Sequence, residues 1–142
     1  MLDNSLYNIP YISSQTDKIE KITEIYDDVG RLCGFFERDN EVQMSAYDNL
    51  GRFSGYFISN KHGNTVTFDS QGKFDGYVVQ DENLLKYDKA GNYQGYYEIS
   101  KDGNITEYES SGKYKGVYMG VNTNKITKYD ELGRPVLFIV SR

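Results

Sequence analysis

The sequence predicts an all-β fold, an antiparallel meander of about six 21-residue β-hairpin repeats that forms a curled or folded-over sheet. Three observations lead there. First, an aromatic residue followed by an acid and, three further on, a glycine recurs at Tyr26, Tyr47, Phe68, Tyr87, Tyr108 and Tyr129, at intervals of 21, 21, 19, 21 and 21 residues. A near-constant period over most of a short chain means one supersecondary unit stacked on copies of itself. Second, nearly every copy carries another glycine between large apolar residues, as in Gly55-Tyr56-Phe57 and Gly95-Tyr96-Tyr97. Third, the intervening segments are rich in Tyr, Phe, Thr, Val and Ile, are bounded by Gly, Asn and Asp, and contain no proline between Tyr11 and Arg134, which reads as strands and turns.

The first turn is encoded in every copy. An acid three residues before a glycine is the signature of a type I turn whose glycine takes positive φ and opens a bulged hairpin. The second turn is looser, as in Lys61-His62-Gly63-Asn64, Lys101-Asp102-Gly103-Asn104 and Val121-Asn122-Thr123-Asn124. Each period therefore holds two strands, and the chain eleven or twelve. Residues 1–17 do not fit the pattern and are expected to cap one sheet edge, leaving 18–142 as a single repeat domain. Between Lys18 and Tyr26 the spacing of Ile19, Ile22 and Ile25 also suits a short helix, but the repeat register favours a strand over Thr23 to Tyr26. Val136 to Val140 is expected to end the array as an atypical terminal copy, with Pro135 in an edge strand.

Strict alternation puts Leu32, Gly34 and Phe36 on one face and Phe35 on the other. It likewise sets Phe53 and Phe57 against Tyr56, Phe74 and Val78 against Tyr77, Tyr93 and Tyr97 against Tyr96, and Tyr114 and Tyr118 against Val117. Both faces then carry large residues, and the second glycine is expected to leave room for a ring from the neighbouring strand. A dozen strands so patterned must curl, split into two layers or be covered.

Composition narrows the function classes. The 142 residues include 14 Tyr, 7 Phe and no Trp, with a net charge of −5. Clustered Lys and Arg are what bind a nucleic-acid backbone, so this balance argues against nucleic acid and suits a basic protein partner. No apolar run is long enough to span a membrane as a helix. The N-terminus lacks the basic start and apolar stretch of a secretory signal, which predicts a cytoplasmic chain. The single cysteine, Cys33, fits a reducing compartment.

The units Tyr47-Asp48-Asn49-Leu50-Gly51-Arg52-Phe53 and Tyr129-Asp130-Glu131-Leu132-Gly133-Arg134-Pro135 resemble the YD repeat of Rhs and teneurin proteins, as does Gly63-Asn64-Thr65-Val66-Thr67-Phe68. The likeness covers residues 26–135. In large Rhs proteins such hairpins build a β-shell around a toxin, and this chain has too few copies to enclose one. The phrase Gly-x-Tyr-x-Gly-x-Tyr at Gly91 to Tyr97 and Gly112 to Tyr118 resembles MORN-type repeats and their bacterial variants. Those are hairpin arrays used for binding, and small stand-alone examples occur as immunity partners of secreted toxins.

Chemistry-bearing residues are sparse. The turn acids Asp27, Asp48, Asp69, Asp88, Glu109 and Asp130 read as turn formers that hydrogen-bond their own backbone. His62 has no second histidine for a zinc cluster, and Cys33 reads as a packed thiol. Neither a catalytic set, nor a metal, nor a cofactor is expected. The row Phe35, Tyr56, Tyr77 and Tyr96 reads either as one half of a folded-over core or as an aromatic recognition surface, with Glu98 and Asp102 among the acids that would steer a basic partner to it. These six residues are the candidate partner-binding set. The expected function is a non-enzymatic protein that neutralises a toxin or effector by direct binding. The alternatives are a phage anti-defence inhibitor, a carbohydrate-binding module stacking sugars on Tyr96, Tyr97, Tyr114 and Tyr118, and a structural shell that self-associates through sheet edges.

Overall fold

The computed structural model describes residues 22–60, 64–120 and 123–141. The expected cap at 1–17, His62 and parts of two second turns lie outside the described residues. Twelve strands run in sequence order: β1 (Ile22–Asp27), β2 (Leu32–Arg38), β3 (Gln43–Asp48), β4 (Phe53–Ser59), β5 (Thr65–Asp69), β6 (Phe74–Gln80), β7 (Leu84–Asp88), β8 (Tyr93–Ile99), β9 (Ile105–Glu109), β10 (Tyr114–Met119), β11 (Lys125–Asp130) and β12 (Pro135–Ser141). All neighbours are antiparallel, and Thr23 to Tyr26 is strand, as the register required.

The sheet closes. β1 pairs with β12 from Thr23 opposite Ser141 to Asp27 opposite Leu137, completing a twelve-stranded barrel rather than a curled or folded-over sheet. Val136 to Val140 is therefore the closing strand and not a terminal cap, and no described strand is an edge through which copies could add. Pro135 is tolerated as the first residue of β12 rather than as an edge residue.

Closure follows from local geometry repeated in one sense. Each aspartate turn is the expected one: Gly51 N–H donates to Asp48 C=O at 3.0 Å, Asp48 N–H to Arg52 C=O at 2.9 Å, and Gly51 sits at φ +80°. Just beyond it, a β-bulge shifts the register between Ala46 and Tyr47, and equivalent shifts occur in the other five hairpins. A bulge bends its strand and increases the local twist. Six bulges at the same end of six successive hairpins bend the sheet the same way until its first and last strands meet.

Those bulges overturn one expectation of strict alternation. Phe53 pairs with Tyr47, Phe74 with Phe68, Tyr93 with Tyr87, and Tyr114 with Tyr108, so these four rings stand on the outer face. Leu32 likewise pairs with Tyr26. Of the large residues flanking the second glycine, those two positions after it, Phe36, Phe57, Val78, Tyr97 and Tyr118, turn inward.

Inside, the barrel is layered. One layer takes a pair from each hairpin: Thr23 with Phe36, Met44 with Phe57, Thr65 with Val78, Leu84 with Tyr97, Ile105 with Tyr118, and Ile126 with Ile139. All twelve are buried, none more than 7% exposed, and their apolar members form the core. The next layer, toward the aspartate turns, pairs the residue before each aromatic anchor with the second glycine. It contains Ile25 with Gly34, Ala46 with Gly55, Thr67 with Gly76, Lys86 with Gly95, Glu107 with Gly116, and Lys128 with Leu137.

Four of the five glycines of this layer are there for the backbone. Gly76 has φ +137°, and a Cβ on it would lie 2.8 Å from the Tyr87 carbonyl oxygen. Gly55, Gly95 and Gly116 meet the carbonyls of Phe68, Tyr108 and Tyr129 in the same way. A neighbouring backbone, and not a neighbouring ring, excludes a side chain here.

Candidate functional site

The row Phe35, Tyr56, Tyr77 and Tyr96 lies on the outside of the barrel. It is not half of a folded core, because closure has put the opposite face inside. Each ring stacks on the anchor of the following strand. The centroid separations are 5.0 Å for Phe35 on Tyr47, 4.6 Å for Tyr56 on Phe68, 4.9 Å for Tyr77 on Tyr87 and 4.7 Å for Tyr96 on Tyr108, with planes within 16° of parallel. This follows from the register, which sets each such pair directly opposite, for example Tyr56 against Phe68.

The bulge-shifted rings extend each stack edge-on or tilted. Phe53 stands 6.0 Å from Tyr47, Phe74 6.5 Å from Phe68, Tyr93 5.8 Å from Tyr87 and Tyr114 6.2 Å from Tyr108. These four are 39–44% exposed, whereas the stacked rings are half-buried against one another. The predicted row is thus the middle of an aromatic belt from β2 to β10, and the rings that offer most free surface are ones that strict alternation had turned inward. The missed signal is local, since an acid-x-x-Gly turn leading into a hairpin already implies a bulge.

Glu98 and Asp102 are exposed. Glu98 lies close enough to the belt that its charge helps push the Tyr108 phenol above its ordinary pKa, after the larger effect of desolvation. Asp102 stands in the turn between β8 and β9, at the end of the barrel away from the aspartate turns. Tyr97 and Tyr118 point into the core at 1% and 0% exposure, so the four tyrosines considered for sugar stacking do not share a surface. The strands are five to seven residues long, shorter than the roughly 9 to 11 residues of a tilted membrane-crossing strand. Glu24, Glu37 and Lys125 interrupt the outer face, and no described helix is long and apolar enough to cross a bilayer.

The aspartate turns line one mouth of the barrel. In each of five, the carboxylate accepts main-chain N–H groups two and four residues on, as Asp48 Oδ1 does from Leu50 and Arg52, both at 2.9 Å. The N–H at the fourth position, with help from neighbouring donors, holds the carboxyls of Asp27, Asp48, Asp69, Asp88 and Asp130 below their ordinary pKa despite partial desolvation. The acids are turn formers, and no group of His, Cys, Asp and Glu among the described residues has a metal-binding arrangement. Closure makes the turns at Val29, Leu50 and Leu132 neighbours, and these three apolar side chains are 66–71% exposed. The same three turns carry Arg31, Arg52 and Arg134, each paired with its turn aspartate at 2.7–3.1 Å.

Cys33 packs against the core, and burial together with the Asp27 charge pushes its thiol up, which makes it a poor nucleophile.

The glycine layer holds charges that no sequence pattern singled out. Lys128 Nζ is 3.4 Å from Glu107 Oε1 and lies 5.1 Å from the centre of the Tyr118 ring. The Tyr97 hydroxyl donates to Glu107 Oε2 at 3.5 Å. Lys86 stands two strands from Glu107, across the side-chain-free Gly95. Desolvation pulls its pKa down, Glu107 pulls it partly back, and Lys115 and Lys128 lower it further. A polar residue immediately before the anchor in the third to sixth copies was the available signal. Beside Lys86 lies a cavity of about 380 Å³, lined also by Thr67, Gly76, Val78, Asp88 and Gln94 and reaching the turn residues Lys89 and Ala90.

The sequence matches no known protein family and no curated protein.

Proposed function

We propose that this barrel is a non-enzymatic binding protein that neutralises a toxin or other effector by docking its outer aromatic belt on that protein. The observation that carries the reading is the three successive sets of stacked rings between Phe35 and Tyr114, half-buried against one another and edged by the more exposed Phe53, Phe74, Tyr93 and Tyr114. Large aromatic rings held in place by their neighbours give contact area at low entropic cost, which suits a tight inhibitor. Glu98 and the net charge of −5 favour a basic partner. The resemblance to YD and MORN-type hairpin arrays supports the same class, and an anti-defence inhibitor would use the surface in the same manner.

The test is capture of a partner from source-cell lysate by the tagged protein, followed by titration of the purified partner's own activity. A stoichiometric partner whose activity is abolished at one equivalent, and which a Tyr56→Ala/Tyr77→Ala/Tyr96→Ala variant fails to retain, is expected. A partner held equally by that variant, or one whose activity is untouched, overturns the reading.

A further inference from the structure

The glycine layer leaves five of its twelve positions without side chains, and the barrel fills the gap unevenly. Around the closure Ile25, Ala46 and Leu137 occupy it, and between β9 and β11 the Glu107–Lys128 pair does. Between β5 and β8 the gap stays open as the 380 Å³ cavity, flanked by Gly76 on one wall and Lys86 on the other. That volume falls within the range of small-molecule sites, about 300 to 1,000 Å³.

The charge in this layer is unbalanced. Two lysines share one glutamate, and that glutamate's ion pair within 4 Å is with Lys128. Lys86 is half-buried, and no hydrogen bond or ion pair holds its ammonium among the described residues. A buried or half-buried cation without an anion in contact is costly, and a bound anion would relieve that cost.

We propose that this cavity binds a small organic monocarboxylate, with the Lys86 ammonium meeting the carboxylate and Val78 together with the walls carrying Tyr77 and Tyr87 receiving its apolar body. The layer's excess is a single positive charge, which one carboxylate neutralises. At the mouth stand Asp75 and Asp88. Asp88 is saturated by the N–H groups of Ala90 and Asn92 and by the Asn92 and Gln94 side chains, at 2.8–3.2 Å. Their negative charge selects against a second anionic group on the outer end of the ligand. The assignment is independent of what docks on the outer belt.

Benzoate, benzamide and terephthalate serve as probes, titrated into the intact protein by calorimetry and followed by amide chemical shifts. Benzoate is expected to bind at one site with a dissociation constant of about 1 mM or tighter, shifting the amides of Thr67, Val78 and Lys86. Benzamide, which lacks the charge, and terephthalate, which adds a second, are each expected to bind about tenfold more weakly or worse. Lys86→Met is expected to abolish the preference for benzoate over benzamide, and Lys89→Met at the rim to preserve it. Benzoate failing to saturate, benzamide binding as well as benzoate, or shifts confined to the outer belt would overturn the assignment. The comparison among probes on the native chain decides the matter even if the Lys86 variant does not fold.

Discussion

Glu107 and Lys128 come within 3.4 Å of each other inside the barrel, at 4% and 8% exposure, across the strand that carries Gly116. Neither strand is adjacent to the other, and the contact exists because the glycine between them presents no side chain. Removing one member strands a buried charge. Glu107→Leu, which leaves Lys128 buried without its ion-pair partner, is expected to lower unfolding free energy by about 3–5 kcal/mol. The Glu107→Leu/Lys128→Met double variant is expected to recover most of that loss. Urea midpoints of the native chain, Glu107→Leu, Lys128→Met and the double variant form the cycle, and a double variant as unstable as Glu107→Leu contradicts the pairing.

The two kinds of glycine should respond differently to a methyl group. At Gly51 the backbone is left-handed, but nothing lies within 4 Å of an added Cβ, so Gly51→Ala is expected to cost about 1–2 kcal/mol. At Gly76 the same change adds a collision with the Tyr87 carbonyl, and about 3 kcal/mol or more is expected. Equal destabilisation by the two variants, read from chemical denaturation, would contradict the role assigned to the second glycine.

Inside and outside are separated by a single residue in β4. Phe57 packs edge-on against Phe36, with centroids 5.5 Å apart, and is 1% exposed. Phe57→Ala should therefore cost about 3–5 kcal/mol. Tyr56 loses mainly its stacking on Phe68, and Tyr56→Ala should cost about 1–2 kcal/mol. The reverse order in thermal or urea unfolding would mean that the faces are assigned the wrong way round.

Acid should weaken the barrel. Asp27, Asp48, Asp69, Asp88 and Asp130 have carboxyls held below the ordinary value of about 4 by main-chain N–H donors, foremost those of Arg31, Arg52, Lys73, Asn92 and Arg134. The unfolded chain thus binds more protons in acid than the folded one. Stability from these turns is fully present above the unfolded value and drains as pH falls through the depressed folded values. Urea midpoints measured from about pH 7 down to pH 2 should fall below about pH 4, and less steeply in Asp48→Asn. A flat profile would show that the turns do not contribute in this way.

Much of the fold was legible because its determinants are short-range. Asp48, Gly51 and Arg52 lie within one turn of chain, and their spacing alone implies the positive φ and the hairpin. The belt was half legible. Tyr56, Tyr77 and Tyr96 follow the second glycine at fixed distance, but Phe53, Phe74, Tyr93 and Tyr114 were assigned to the wrong face because one bulged residue reverses alternation. The mispairing of Tyr97 and Tyr118 with outer tyrosines in the sugar-stacking alternative has a related cause, since alternation separates residues into two sets without saying which set is inside.

By itself the sequence determined a period, a turn at every period and two faces of large residues, since these depend on residues a few positions apart. Tertiary structure decided which face became the core, because that choice rests on β1 finding β12 across 118 residues, as Thr23 and Ser141 do at 3.3 Å. It also decided that Lys86, Glu107 and Lys128 would share one interior layer. Their approach depends on the register of five strands and on glycines whose emptiness is set by a neighbouring backbone, and the cost of enclosing those charges arises only once the barrel has closed around them.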